Sequence, residues 1–217
     1  MFSNLIRGLL GAFGIIKKTR KFSTEHNAEF LQSLAAGTVV LTWSRNPDFL
    51  QGGIQGATNS IIQHALLYVG RSAAEKFRRD HPEICESRRK IPAGAVYHEI
   101  VEAQGEGVIV SNLDKNLGDN TQMVAYSRQL TEEELDQILM RVYSCVGTPY
   151  DVAEFIGHIL PVGNPKNLFV CSSLVAHGYQ PIEVIVKSGV DYRKATPRDL
   201  NDYLAPNLSW QQTRYNW

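Results

Sequence analysis

The order of its segments constrains this chain more than any single residue does: apolar, β-branched runs come first and capped helical runs come last. Gly37-Thr-Val-Val-Leu-Thr-Trp43 reads as a strand, and Ile61–Gly70 as a second, apolar except at Gln63 and His64. Ala95–Ala103 reads as a third strand, Gly107–Ser111 as a fourth and Met123–Ser127 as a fifth. Residues 45–60 are rich in Asn, Pro, Asp, Gly and Ser, which makes them a loop. Residues 71–93 carry Arg78, Arg79, Arg88, Arg89 and Lys90, and they predict a short helix and an exposed excursion. Thr131-Glu-Glu-Glu134 is a capping box for a helix running to Cys145, which Gly147 closes and Pro149 keeps from resuming. Asp151–Leu160 is a further helical stretch, and Cys171–His177 is another, with Gly178 as its stop. Thr196 caps a last helix whose first position is Pro197. Early strands and late helices predict an α+β domain, with one antiparallel sheet packed against helices.

Composition narrows the class further. A chain of 217 residues buries roughly 70% of its unfolded surface, enough for one core with room for an arm. An apolar fraction of 43% with 20% charge excludes a disordered chain. Lys plus Arg and Asp plus Glu both number 22, and this zero balance argues against nucleic acid as a partner. No apolar run reaches the ~18 residues that a membrane span needs. The three cysteines, at 85, 145 and 171, form neither a disulfide framework nor a CxxC metal pair. They favour a reducing compartment and leave one thiol free for chemistry.

The first 22 residues stand apart. Phe2, Leu5, Ile6, Leu9, Leu10, Phe13 and Ile16 recur at three- and four-residue steps, one face of an amphipathic helix. The basic cluster Lys17, Lys18, Arg20 and Lys21 follows the apolar stretch, whereas a cleavable secretory signal carries its positive charge first. The segment therefore reads as an uncleaved arm, in the cytoplasm or at the cell envelope. It packs on its own domain or on another protein, or lies on anionic lipid. Residues 21–28 read as a polar connector, which sets an arm over 1–28 against a folded domain over 29–217.

Three side chains merit chemical attention. Cys171 stands where a helix begins, and a helix N-terminus favours the thiolate and offers N–H groups to an oxyanion; an ordinary buried cysteine is the plainer reading. His64 is the one polar ring in the most apolar strand, so it is either a satisfied core histidine or a base on a rigid mount. Glu102 on the next strand either orients that imidazole or ends a solvated strand. Glu99 competes with it, but residues three apart on a strand face opposite ways, so only one can serve.

Six segments occur in an order that carries a resemblance. They are Gly37-Thr-Val-Val-Leu, Ser60-Ile-Ile-Gln-His-Ala-Leu-Leu-Tyr-Val69, Val101-Glu-Ala-Gln-Gly-Glu-Gly-Val108, Gly147-Thr-Pro-Tyr-Asp151, Phe169-Val-Cys-Ser-Ser-Leu-Val175 and Thr196-Pro-Arg-Asp-Leu200. Over roughly residues 36–204 the chain resembles the circularly permuted branch of the NlpC-type papain-like cysteine hydrolases, which includes YiiX-like proteins and relatives of lecithin:retinol acyltransferase. The resemblance implies a permuted papain-like fold with Cys171 as nucleophile, His64 as base and Glu102 as the residue orienting the imidazole. It further implies Ser172, Ser173, Gln63 and Tyr150 as substrate-binding positions, and no metal or cofactor. Gly37-Thr38 and Cys171-Ser172-Ser173 depart from the family's frequent Gly-Asp and Cys-Ser-Glu, and they leave the triad intact.

The activity so implied is acyl transfer through a thioester, first of all on peptide or cell-wall amides. The alternatives are a lipid acyl hydrolase or acyltransferase, and an inactive assembly protein that docks through its arm. The Gly-rich segment 51–59, just before the His64 strand, is the expected adaptable wall of the cleft.

Overall fold

The computed structural model describes residues 24–44, 61–88, 90–117, 121–150 and 169–215. These form one six-stranded sheet of β1 (Val39–Ser44), β2 (His64–Tyr68), β3 (Glu99–Gln104), β4 (Gly107–Asn112), β5 (Thr121–Ser127) and β6 (Gln211–Tyr215). The strand order is β4-β3-β2-β1-β5-β6, and each neighbouring pair is antiparallel. The helices among the described residues are α1 (Thr24–Gln32), α2 (Arg71–Asp80), α3 (Pro82–Ser87), α4 (Glu132–Ser144), α5 (Cys171–Tyr179) and α6 (Pro197–Leu204).

The period of two along each strand sorts the core into two layers. Val39, Leu41, Ala65, Leu67, Val101 and Val124 meet Phe77 of α2, Val142 of α4, Leu174 and Val175 of α5, and Leu200 of α6. Val40, Leu66, Ile100 and Met123 meet Phe30 and Leu31 of α1 on the other layer. A sheet covered on both faces explains why β1 is almost unbroken Val-Val-Leu rather than alternating. Helix α5 is buried nearly all round, as its apolar composition requires.

Several boundaries differ from the sequence reading. The polar stretch 21–28 is not wholly a connector, because α1 begins at Thr24. Residues 71–93, read as a short helix and an exposed excursion, hold two helices, and Ala74 and Phe77 anchor α2 in the core despite its charge. The third strand begins only at Glu99. Gly178 does not end its helix, which continues to Tyr179 without a positive φ there. A Cβ on Gly178 would lie 2.7 Å from Val142 Cγ1, so the glycine allows α5 to approach α4 closely. Strand β6 carries no apolar run, since Gln211, Gln212 and Arg214 are exposed on an edge. The expected arm helix, the 45–60 loop and the 151–160 helix fall mainly or wholly outside the described residues. No helix among the described residues is long and apolar enough to cross a membrane.

Candidate active site

Cys171 is the first residue of α5. Val170 precedes it at the cap position in an extended conformation, and its side chain offers no acceptor to the helix. The first helical bond runs from Leu174 N–H to Val170 C=O at 3.0 Å, so the N–H groups of residues 171–173 point forward without intrahelical partners. The N–H of Ser172 lies close enough to the Cys171 sulfur to lower its thiol.

His64 opens β2, and its Nε2 lies 2.7 Å from Glu102 Oε2 on β3. The register pairs Leu66 with Glu102, and its continuation would set Gln104 opposite His64. Glu102 is therefore the diagonal neighbour of His64 on one face, within reach of a ring nitrogen. The Cys171 sulfur of α5 adjoins the same imidazole, and each shifts the titration of the other. The β2–β3 ladder stops at the Leu66–Glu102 rung, and the N–H of Ala65, one residue beyond, acts on the Cys171 sulfur and lowers its thiol.

The electrostatics follow from these contacts. Burial raises the Cys171 thiol, but His64 and the N–H groups of Ala65 and Ser172 outweigh it and bring the thiol below its usual range. Burial lowers His64, yet the sulfur and Glu102 together raise it to about 10. Burial raises the Glu102 carboxyl, and His64, with Gln104 and Ser111 after it, outweighs this, so its value is lowered. The three settings favour thiolate, imidazolium and carboxylate in a row. The imidazole is 24% exposed and Glu102 not at all, so solvent reaches the ring but not its anchor.

Parity separates the two carboxylates of β3 as expected. Glu99 takes hydrogen bonds from Arg78, Tyr143 and the Val96 N–H, away from His64. The other thiols lack an ion-pair partner of this kind: burial pushes Cys145 up to about 11 and also raises Cys85. His177, packed between Phe169 and Tyr192 beside Arg141, is lowered to about 4.

The positions expected to touch substrate are engaged within the protein. The Ser172 hydroxyl donates to the Ala195 carbonyl. The Ser173 hydroxyl accepts from the Val170 N–H at 3.0 Å and donates to the Val170 carbonyl at 3.1 Å. Both serines are fully buried and tie the start of α5 in place. Gln63 Oε1 accepts from the Ser44 N–H at 2.9 Å, linking the exit of β1 to the residue before His64. Tyr150 forms an isolated parallel bridge with Phe169, two residues before the cysteine. Sequence reasoning missed Ser111 and Gln104, whose side chains stand beside Glu102 and act to lower its carboxyl. Only the strand register could have revealed them.

No family model matches the chain, and no curated protein matches it. Among solved structures it is similar to the metalloprotein YiiX (DUF1105) of Escherichia coli O157:H7, with a TM-score of 0.55 and 15% identity over 84% of this chain and 97% of that one. Among the described residues of the present chain, no group of three or more His, Cys, Asp or Glu is arranged to hold a metal ion. The chain has the α+β fold of the papain-like YiiX type, built on one antiparallel six-stranded sheet.

Proposed function

We propose that this protein is a cysteine hydrolase that cleaves amide bonds of peptides, including cell-wall peptides, through a thioester. The observation that carries the reading is the bringing together of Cys171, His64 and Glu102, with His64 bonded to Glu102 at 2.7 Å and the adjoining sulfur at a helix start that no side chain caps. The thiolate attacks the carbonyl carbon, and the carbonyl oxygen takes up the displaced electron pair. The forward-pointing N–H groups at the start of α5 stabilise that oxyanion. The imidazolium of His64 gives its proton to the leaving nitrogen as the C–N bond breaks. Water then loses a proton to His64 and attacks the thioester, releasing the acid and restoring the thiolate.

Amide cleavage needs the amine protonated as it leaves, and His64, whose pKa is raised beside the sulfur and Glu102, is the proton donor at hand. The test is amine release from a panel of peptide and isopeptide amides, with long-chain acyl esters alongside. Wild-type protein should turn over an amide, and Cys171→Ala should lose all turnover while melting as the parent does. Turnover of esters alone would redirect the reading to lipid acyl groups. Undiminished amide cleavage by the Cys171→Ala protein would end the proposal.

A further inference from the structure

Glu102 is buried completely, and only one of its two oxygens is engaged. Oε2 meets His64, whereas Oε1 is a buried acceptor without a hydrogen-bond partner. A buried carboxylate oxygen left in this state is costly, so the groups standing around it matter. Glu102 pairs with Ile109 and Ile100 pairs with Ser111, so Ser111 is the diagonal neighbour of Glu102 on β4 and shares its face. Gln104 lies two residues along β3 from Glu102, again on that face. Ser111 is half-buried and Gln104 is exposed, and neither closes a hydrogen bond of ordinary geometry to Oε1 in this structure.

The geometry points to Gln104 and Ser111 as positioning residues that hold the free oxygen of Glu102, and through it fix the ring of His64. The inference rests on the cysteine-hydrolase reading above. Both side chains carry a donor on the face of the sheet that Glu102 shares, and both favour its ionised form. The charged side chain facing Glu102 among the described residues is His64 of β2, with the Cys171 sulfur of α5 beyond it. A carboxylate pinned at both oxygens cannot rotate, and a fixed carboxylate keeps the imidazole aligned on the sulfur.

The sign of the pH effect follows. Donors to the carboxylate keep its pKa low, so their removal raises it. Glu102 then takes a proton at a higher pH, the imidazolium loses its anchor and the thiolate is lost earlier on acidification.

The experiment measures the rate of iodoacetamide alkylation of Cys171 against pH in the full-length protein. The variants are Ser111→Ala, Ser111→Thr, Gln104→Ala and the double Ser111→Ala/Gln104→Ala, each checked by thermal melting. The acidic limb of the double variant should move up by about one pH unit, each single alanine variant should move it less, and Ser111→Thr, which keeps the hydroxyl, should match the parent. A double variant that melts normally and superimposes on the parent profile would overturn the inference. So would a Ser111→Thr profile shifted as far as that of Ser111→Ala, since packing alone would then be at work. A parent protein whose Cys171 alkylates no faster than a free thiol would instead sink the hydrolase reading itself, and the two failures are thus distinguishable.

Discussion

At the scale of single residues, the site links the titrations of two neighbouring side chains. The lowered thiol of Cys171 supplies the nucleophile until the pH falls through that lowered value, and His64 keeps its proton until the pH rises through about 10. The proposed activity should therefore hold between these limits and fall at both ends, first through loss of thiolate and then through loss of the general acid. A pH profile of kcat/KM for the amide substrate checks this. The stability linked to His64 has the matching sign: it is fully present below the ordinary 6.5 and is lost as the pH rises through about 10. Replacing Glu102 with Gln should lower kcat/KM on the order of 10²-fold or more and move the alkaline edge to lower pH, because the imidazolium loses its counter-charge. Cys171, His64 and Glu102 could be picked out of the sequence because of their settings, a thiol at a helix start, a ring in an apolar strand and a carboxylate on the next strand, and because the resemblance carried by six ordered segments joins them. Ser111 and Gln104 were not legible, since nothing marks them until the strands are paired.

At the scale of elements, the site depends on how α5 and β4 are held. Ser172 donates to the Ala195 carbonyl just before α6, so the helix that carries the nucleophile is tied to its neighbour within its first turn. Ser172→Ala should cost about 1 kcal/mol in urea denaturation by removing that hydrogen bond, with Cys171 still reactive in the folded protein. Gly107 opens β4 with φ +104, and a Cβ there would lie 2.3 Å from the Thr148 carbonyl oxygen. That carbonyl also accepts the Val108 N–H, so the backbone cannot yield. Gly107→Ala should destabilise the fold by roughly 1–3 kcal/mol or more, read from the same denaturation curves. The strands β1 to β5 could be found from their branched apolar runs. Strand β6 could not, because an exposed edge is built from Gln, Thr and Arg, and pairing with β5 rather than composition makes it a strand. Helix α1 was obscured in the same way, since Phe30 and Leu31 are its buried apolar residues and the rest of its sequence is largely polar.

At the scale of the whole molecule, one buried charge joins the layers. Glu99 of β3 binds Arg78 of α2 at 2.9 Å and accepts from the Tyr143 hydroxyl of α4, fastening both helices to the sheet. Glu99→Ala would strand a guanidinium that is 10% exposed, and should cost about 3–5 kcal/mol of unfolding free energy by denaturant titration. The fold class was readable because strands and helices segregate along the chain; this hub was not, because its three members are far apart in sequence. The end of the β2–β3 ladder has a consequence of its own. Had the strands zipped one step further, Ala65 would face Ala103, and its amide would serve the sheet instead of the sulfur. Architecture and reactivity thus compete for a single proton donor. A substitution that tightened this seam would make a sturdier protein with a quieter thiol, all three site side chains unchanged.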